Sequence, residues 1–148
     1  DRASTGGYED ASGPVLAAGL QALGGDVVQQ VILADGIEPL AAQLRTLAGQ
    51  GVQLCLCTGG TGLGPRDLTP EALQSLGGRS VPGLAAMVRR LSAQHTPMAR
   101  LSRAEVVQVQ DMLIVALPGS PRAAAQCLDI LAPVLGHALA MMAGGGHA

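Results

Sequence analysis

The sequence predicts an α/β domain of three layers, αβα, around a mostly parallel sheet with an antiparallel strand. Three observations carry this: apolar residues at helical spacing alternate with short strand-like runs, one such run is apolar throughout, and Gly- or Pro-marked junctions follow strands and open helices. At 148 residues and 48% hydrophobic composition, the chain fits a single domain over 1–148 with ample core. Phe and Trp are absent and there is one Tyr, so that core must be tiled from Leu, Val, Ile, Ala and Met.

The opening run DRASTGGYEDASGP (1–14) reads as a loop from a strand into a helix, and that strand is expected upstream of Asp1 or in a fused partner domain. Leu16, Leu20 and Leu23 mark the first helix, VVQQVILA (27–34) reads as a strand, and Ile37, Leu40, Ala41, Leu44 and Leu47 mark a second helix. VQLCLC (52–57) reads as a buried strand leading into TGGTGLGPRDLTPEA (58–72), where Thr69 can cap a helix and Pro70 can open it. Leu84, Met87, Val88 and Leu91 mark another helix, followed by the strand runs EVVQVQ (105–110) and MLIVAL (112–117). MLIVAL has no polar position, as expected of a strand covered on both faces. Ala124, Cys127, Leu128 and Leu131, then Leu135, Ala138, Leu139 and Met142, mark two closing helices, and the tail 143–148 is expected to fray.

The helix starts point to a site. Ser12-Gly13-Pro14, Leu68-Thr69-Pro70 and Gly119-Ser120-Pro121 each place Pro at the start of a helix, and Asp35-Gly36 is a fourth junction. In a parallel sheet such loops leave the carboxyl ends of strands and converge at one edge. Asp35, Asp67 and the turn at 119–120 are therefore expected to meet. In 58–72, Gly59, Gly60, Gly62 and Gly64 let main-chain N–H groups approach an anion, with Asp67 and a helix start close behind. That combination suits an anion together with a metal ion. It is not a P-loop, because the chain has no lysine, and a dinucleotide fingerprint fails at Pro65.

Several classes fall away on composition. A net charge of −2 and a single aromatic residue leave neither an electrostatic footprint nor stacking surface for nucleic acid. No apolar run approaches ~20 residues and no signal peptide is visible, which suggests no membrane association and a cytoplasmic location. Cys55 and Cys57 share one face of a strand with no second pair to complete a zinc site, so they and Cys127 read as core residues. His95, His137 and His147 are isolated and read as surface or helix-end residues.

DRAS with YEDASGP, TGGTGLGPRDLTPEA, TPMARLSR and LPGSPRAAAQCL together resemble the molybdenum cofactor biosynthesis proteins of the MogA and MoaB type, which include the G domains of gephyrin. The resemblance spans nearly the whole chain. It implies a mixed sheet between helices, a homotrimer, and adenylylation of molybdopterin by ATP with Mg²⁺, giving adenylylated molybdopterin and pyrophosphate. Carried over by position, it implies that Asp35 and Asp67 are the catalytic and metal-binding carboxylates. The implied substrate- and nucleotide-binding set is Asp1, Ser4, Thr58, Gly59, Gly60, Thr61, Gly62, Arg66, Ser102, Pro118, Gly119 and Ser120. Other proteins of cofactor biosynthesis are implied as contacts. The chain departs from the family in having Ala34-Asp35-Gly36 where P-D-E is common, and Ala104-Glu105-Val106-Val107 after the LSR run.

The chemistry is consistent with the residues. A phosphate monoester is ionised near neutral pH, so its transfer reaction needs no strong general base and the lack of a poised histidine is no objection. Each residue also has a plainer reading: Asp67 as a helix-start residue, Asp35 as a turn aspartate, Ser102 as a solvated hydroxyl, Ser120 as a cap, and Arg66 as a salt-bridge partner. At the level of function, a non-catalytic pterin-binding trimer of the same fold is the alternative. A relation to the CinA and MoeA proteins is a further one.

Overall fold

The structure, a computed structural model, describes residues 12–145. Helix α1 (Ser12–Ala22) and helix α2 (Ile37–Gly49) precede strand β1 (Leu54–Thr58) and helix α3 (Thr69–Ser75). The short strand β2 (Arg79–Ser80) leads into helix α4 (Pro82–Ser92) and a 3₁₀ turn, Pro97–Leu101. Strands β3 (Val106–Val109) and β4 (Met112–Leu117) and the long helix α5 (Pro121–Met142) complete the order. The sheet runs β1-β4-β3-β2, with β1 parallel to β4 and the other two pairings antiparallel.

β4 explains the layering. Its alternate side chains Leu113, Val115 and Leu117 enter a cluster with Leu16 of α1, Val88 of α4, and Cys127, Leu128 and Leu131 of α5. Met112, Ile114 and Ala116 point the other way, against Leu44 and Leu47 of α2 and Leu73 of α3. All six β4 residues are buried, which is why the run carries no polar side chain. Each fully buried Leu or Ile contributes roughly 1.5–3 kcal/mol by leaving water, so this strand and the helices over it form the stabilising centre.

Three expectations about elements change. VVQQVILA forms no strand: 27–34 has no regular structure, and Val28, Val31 and Ile32 are exposed by 69%, 47% and 49%. A strand exists only by pairing its N–H and C=O groups with a neighbour, and no described segment supplies that ladder. Among the described residues only one pairing is parallel, because β3 and β4 are joined across Gln110 and Asp111, and so short a connection requires a hairpin. Gln110 turns that corner at φ 53°. The two closing helices are one helix, which continues through Pro133 because Leu128, Leu131 and Leu135 on either side lie in a single cluster. This helix is long and apolar enough to cross a bilayer by length and composition, and in the fold it packs against α1, α4 and β4.

Candidate functional site at the carboxyl edge of the sheet

The helix starts gather at one edge. Gly59, one residue past β1, donates its N–H to Leu117 O at the end of β4 at 3.0 Å, so the glycine loop and the turn at 119–120 lie side by side. Gly59 and Gly119 are so close that a Cβ on Gly119 would stand 3.3 Å from Gly59 Cα. Ser12 Oγ donates to Gly119 O at 2.6 Å, which brings the start of α1 to the same place. α2 is joined to β1 by a four-residue turn, 50–53, at the strand's amino end. Its own start, with Asp35 and Gly36 ahead of it, is at the other end of this helix, which packs against α3.

Within 58–72 the backbone is over-determined. Gly59 and Gly60 take φ of 87° and 67°, a region that favours glycine, and a Cβ on Gly60 would overlap Thr69 Oγ1. Thr69 does not cap α3. Its hydroxyl donates to Gly59 O at 2.8 Å and its N–H to Gly60 O at 3.0 Å, fastening the helix start to the loop. Asp67 folds back beneath the loop: its Oδ2 accepts from Gly64 N–H at 2.9 Å, and its N–H donates to Gly64 O at 3.0 Å. A Cβ at Gly62 or Gly64 would stand 2.8 or 2.9 Å from that carboxylate oxygen. The glycines thus leave space that any other side chain would fill, directly against Asp67.

Thr61 is buried, with 7% of its surface exposed, while Thr58, Gly62 and Asp67 are half-buried. Pro118 lies half-buried at the end of β4, in the LPGS turn with Gly119. Ser120 caps α5 by accepting the Ala123 N–H at 3.4 Å, and Ser102 Oγ accepts the Ala104 N–H at 3.2 Å, so both hydroxyls are engaged locally. Arg66 is exposed. Asp1 and Ser4 lie outside the described residues. Cys55 and Cys57 pack half-buried against the α2 side of the core, and the Cys57 thiol is pushed up by its hydrogen bond with Cys55 and then by burial. Burial also pushes the Cys127 thiol up.

Sequence reading passed over Arg103, the third residue of the LSR run. Its guanidinium donates from Nε to Gly62 O at 2.8 Å, from Nη2 to Asp67 O at 2.6 Å, and from Nη1 to Glu71 Oε1 at 2.5 Å. Its own N–H donates to Thr61 O at 2.8 Å. The only signal available was its place beside Ser102 in a quoted motif. Arg103 holds the Glu71 carboxyl below its usual range, chiefly through that side-chain hydrogen bond.

As for a metal, no cluster of three or more His, Cys, Asp or Glu occurs among the described residues. An ion here would take at most the two aspartates and complete its shell from water and substrate. That donor set fits Mg²⁺, which binds one or two carboxylates plus phosphate oxygens, and Asp67 presents hard oxygen against Gly62 and Gly64, where any Cβ would crowd it. Two cavities, of about 360 Å³ beside Arg89, Arg90 and Arg100 and about 450 Å³ at the β2–β3 end of the sheet, include none of these residues.

A family profile described as a probable molybdopterin-binding domain matches residues 1–137. The chain belongs to that family. It is 38% identical over 147 residues to a molybdenum cofactor biosynthesis bifunctional protein of Synechococcus elongatus, covering 99% of this chain and 46% of the relative. It is 39% identical over 132 residues to a molybdopterin adenylyltransferase of Haemophilus influenzae, covering 87% of this chain and 67% of the relative. The chain thus spans about half the length of the bifunctional relative. Among solved structures, the molybdopterin biosynthesis enzyme MoaB of Thermus thermophilus superposes with a TM-score of 0.91 at 38% identity, covering 97% of this chain and 91% of that one. The mixed sheet with helices on both sides is the fold these proteins share with it.

Proposed function

We propose that this domain transfers the adenylyl group of ATP to the terminal phosphate of molybdopterin, releasing pyrophosphate, as a cytoplasmic step of molybdenum cofactor biosynthesis. The observation that carries the reading is Asp67 held against an open glycine loop at the carboxyl edge, in a chain whose relatives include a named molybdopterin adenylyltransferase. In the reaction a phosphate oxygen of the pterin attacks the α-phosphorus of ATP, a new P–O bond forms, and the bond to the β-phosphate breaks. The attacking oxygen is already ionised, so no side chain has to remove a proton.

The work left to the protein is alignment and charge. N–H groups of 59–62 and the Thr61 hydroxyl would hold phosphate oxygens, and the start of α5 with the turn at 119–120 would bound the same space. Asp35 and Asp67 would hold Mg²⁺. When bound, the ion offsets the charge that gathers on the triphosphate.

The test is incubation with molybdopterin, ATP and Mg²⁺ and detection of the adenylylated pterin, expected to vanish on chelation of the metal. Pterin binding without turnover would favour a scaffolding role instead. We also infer a cyclic trimer, because Val15, Leu23, Leu63, Met98, Leu101 and Met141 remain exposed on so weakly charged a domain. Light scattering at micromolar concentration should give three times the chain mass, and a stable monomer would rule this out.

A further inference from the structure

We propose that Arg103 is a positioning residue that sets the glycine loop and Asp67 in their working geometry. The inference rests on the adenylyl-transfer reading for its kinetic consequence and on the geometry alone for its structural one. One guanidinium reaches three separate pieces of chain: Gly62 O in the loop, Asp67 O beyond it, and the Glu71 carboxylate on α3. The Arg103 main chain adds a fourth tie through Thr61 O. The segment between Gly62 and Asp67 is thereby pinned at both ends by the same planar group.

The loop needs such an external tie. Gly59 and Gly60 adopt a glycine conformation, Gly62 and Gly64 carry no side chain, and Leu63, Pro65 and Arg66 are exposed. Few side chains of the loop itself therefore pack to fix its N–H directions beyond the Asp67 and Thr69 ties. The base of Arg103 is itself secured, because Arg89 Nη1 of α4 donates to Ala104 O at 2.7 Å. A continuous path runs from α4 through 103–104 to the loop and α3. Both members of the Arg103–Glu71 pair are about one-third exposed, so the pair adds little to stability. Its value lies in direction, which a planar fork with separate N–H donors supplies and a lysine ammonium cannot.

The test uses Arg103→Lys and Glu71→Gln, comparing amide hydrogen exchange with adenylylation kinetics. For Arg103→Lys the expected result is exchange at 60–68 faster by roughly tenfold or more, with β4 amides unchanged. The same variant should lose roughly ten- to a hundredfold in kcat, with the KM for pterin within about threefold of the parent, because a misplaced loop costs alignment more than pterin affinity. Glu71→Gln should move both readouts the same way by a smaller factor. Unchanged exchange at 60–68 in both variants would overturn the proposal. So would faster exchange spread evenly over β4 and α5, which is the mark of a residue that only stabilises the fold. If the parent protein transfers no adenylyl group, the proposed function fails, while the exchange pattern still decides what Arg103 does.

Discussion

The two aspartates assigned to one site sit in unlike surroundings. Asp67 lies in a segment where nearly every turn is tied twice: Gly64 bonds both its side chain and its N–H, Arg103 holds its carbonyl, and Thr69 and Arg103 anchor the flanking loop. Asp35 follows a ten-residue stretch, 25–34, without regular structure and with three exposed branched aliphatic side chains, and precedes Gly36 at φ 129°. Local sequence looked equally ordered in both. On the Asp67 side the order comes from long-range bonding, since the Arg103 side-chain ties there span 32 to 41 positions of sequence.

The largest expected effect removes either carboxylate. Asp67→Asn, nearly isosteric, should lower adenylylation by on the order of a hundredfold or more with the fold intact, and Asp35→Asn should do the same if both hold the ion. Normal turnover in Asp67→Asn would return that residue to the role of a helix-start aspartate. Normal turnover in Asp35→Asn alone would leave Asp67 as the one carboxylate of the site.

Next comes the loop itself. Gly60→Ala should destabilise by about 2 kcal/mol or more, because the left-handed φ strains any L residue and the new methyl meets Thr69. The same substitution at Gly136, in the middle of α5 with nothing within 4 Å of the added methyl, should stabilise by roughly 0.5–1 kcal/mol. Thermal or urea melts of the two variants check the opposite signs.

Hydrogen exchange sharpens the contrast between regions. Amides of 28–33 should exchange far faster than those of β4, whose central groups pair on both sides. Protection at 28–33 comparable to β4 would show that this run is paired after all.

The smallest effect is the pH response of the Arg103 tie. The Glu71 carboxyl is held below its ordinary value of about 4.3, so its contribution is complete above that value and is lost as pH falls through the lower folded value. Exchange at 60–68 should therefore rise in acid beyond the intrinsic pH trend in the parent protein. Glu71→Gln should show no such rise.

Much was legible because it is local or periodic. The unbroken apolar run of β4 announced a strand buried on both faces, the helical spacing of Leu40, Leu44 and Leu47 announced α2, and Ser120-Pro121 announced the start of α5. The strand-like composition of VVQQVILA misled at 27–34, since it says nothing about whether a neighbour completes the ladder. The split of the closing segment into two helices also failed, because packing of Leu128, Leu131 and Leu135 in one cluster carries the helix through Pro133.

By itself, then, the sequence determined the layers, the glycine loop and the run of residues that resembles one family, because spacing, turn chemistry and motif order are written along the chain. The tertiary structure alone decided that Thr69 fastens the loop where a cap was expected, and that Arg103 holds Asp67's backbone. Those are choices among competing hydrogen-bond partners. They depend on which distant groups the fold brings within about 3 Å, a distance that no position along the chain records.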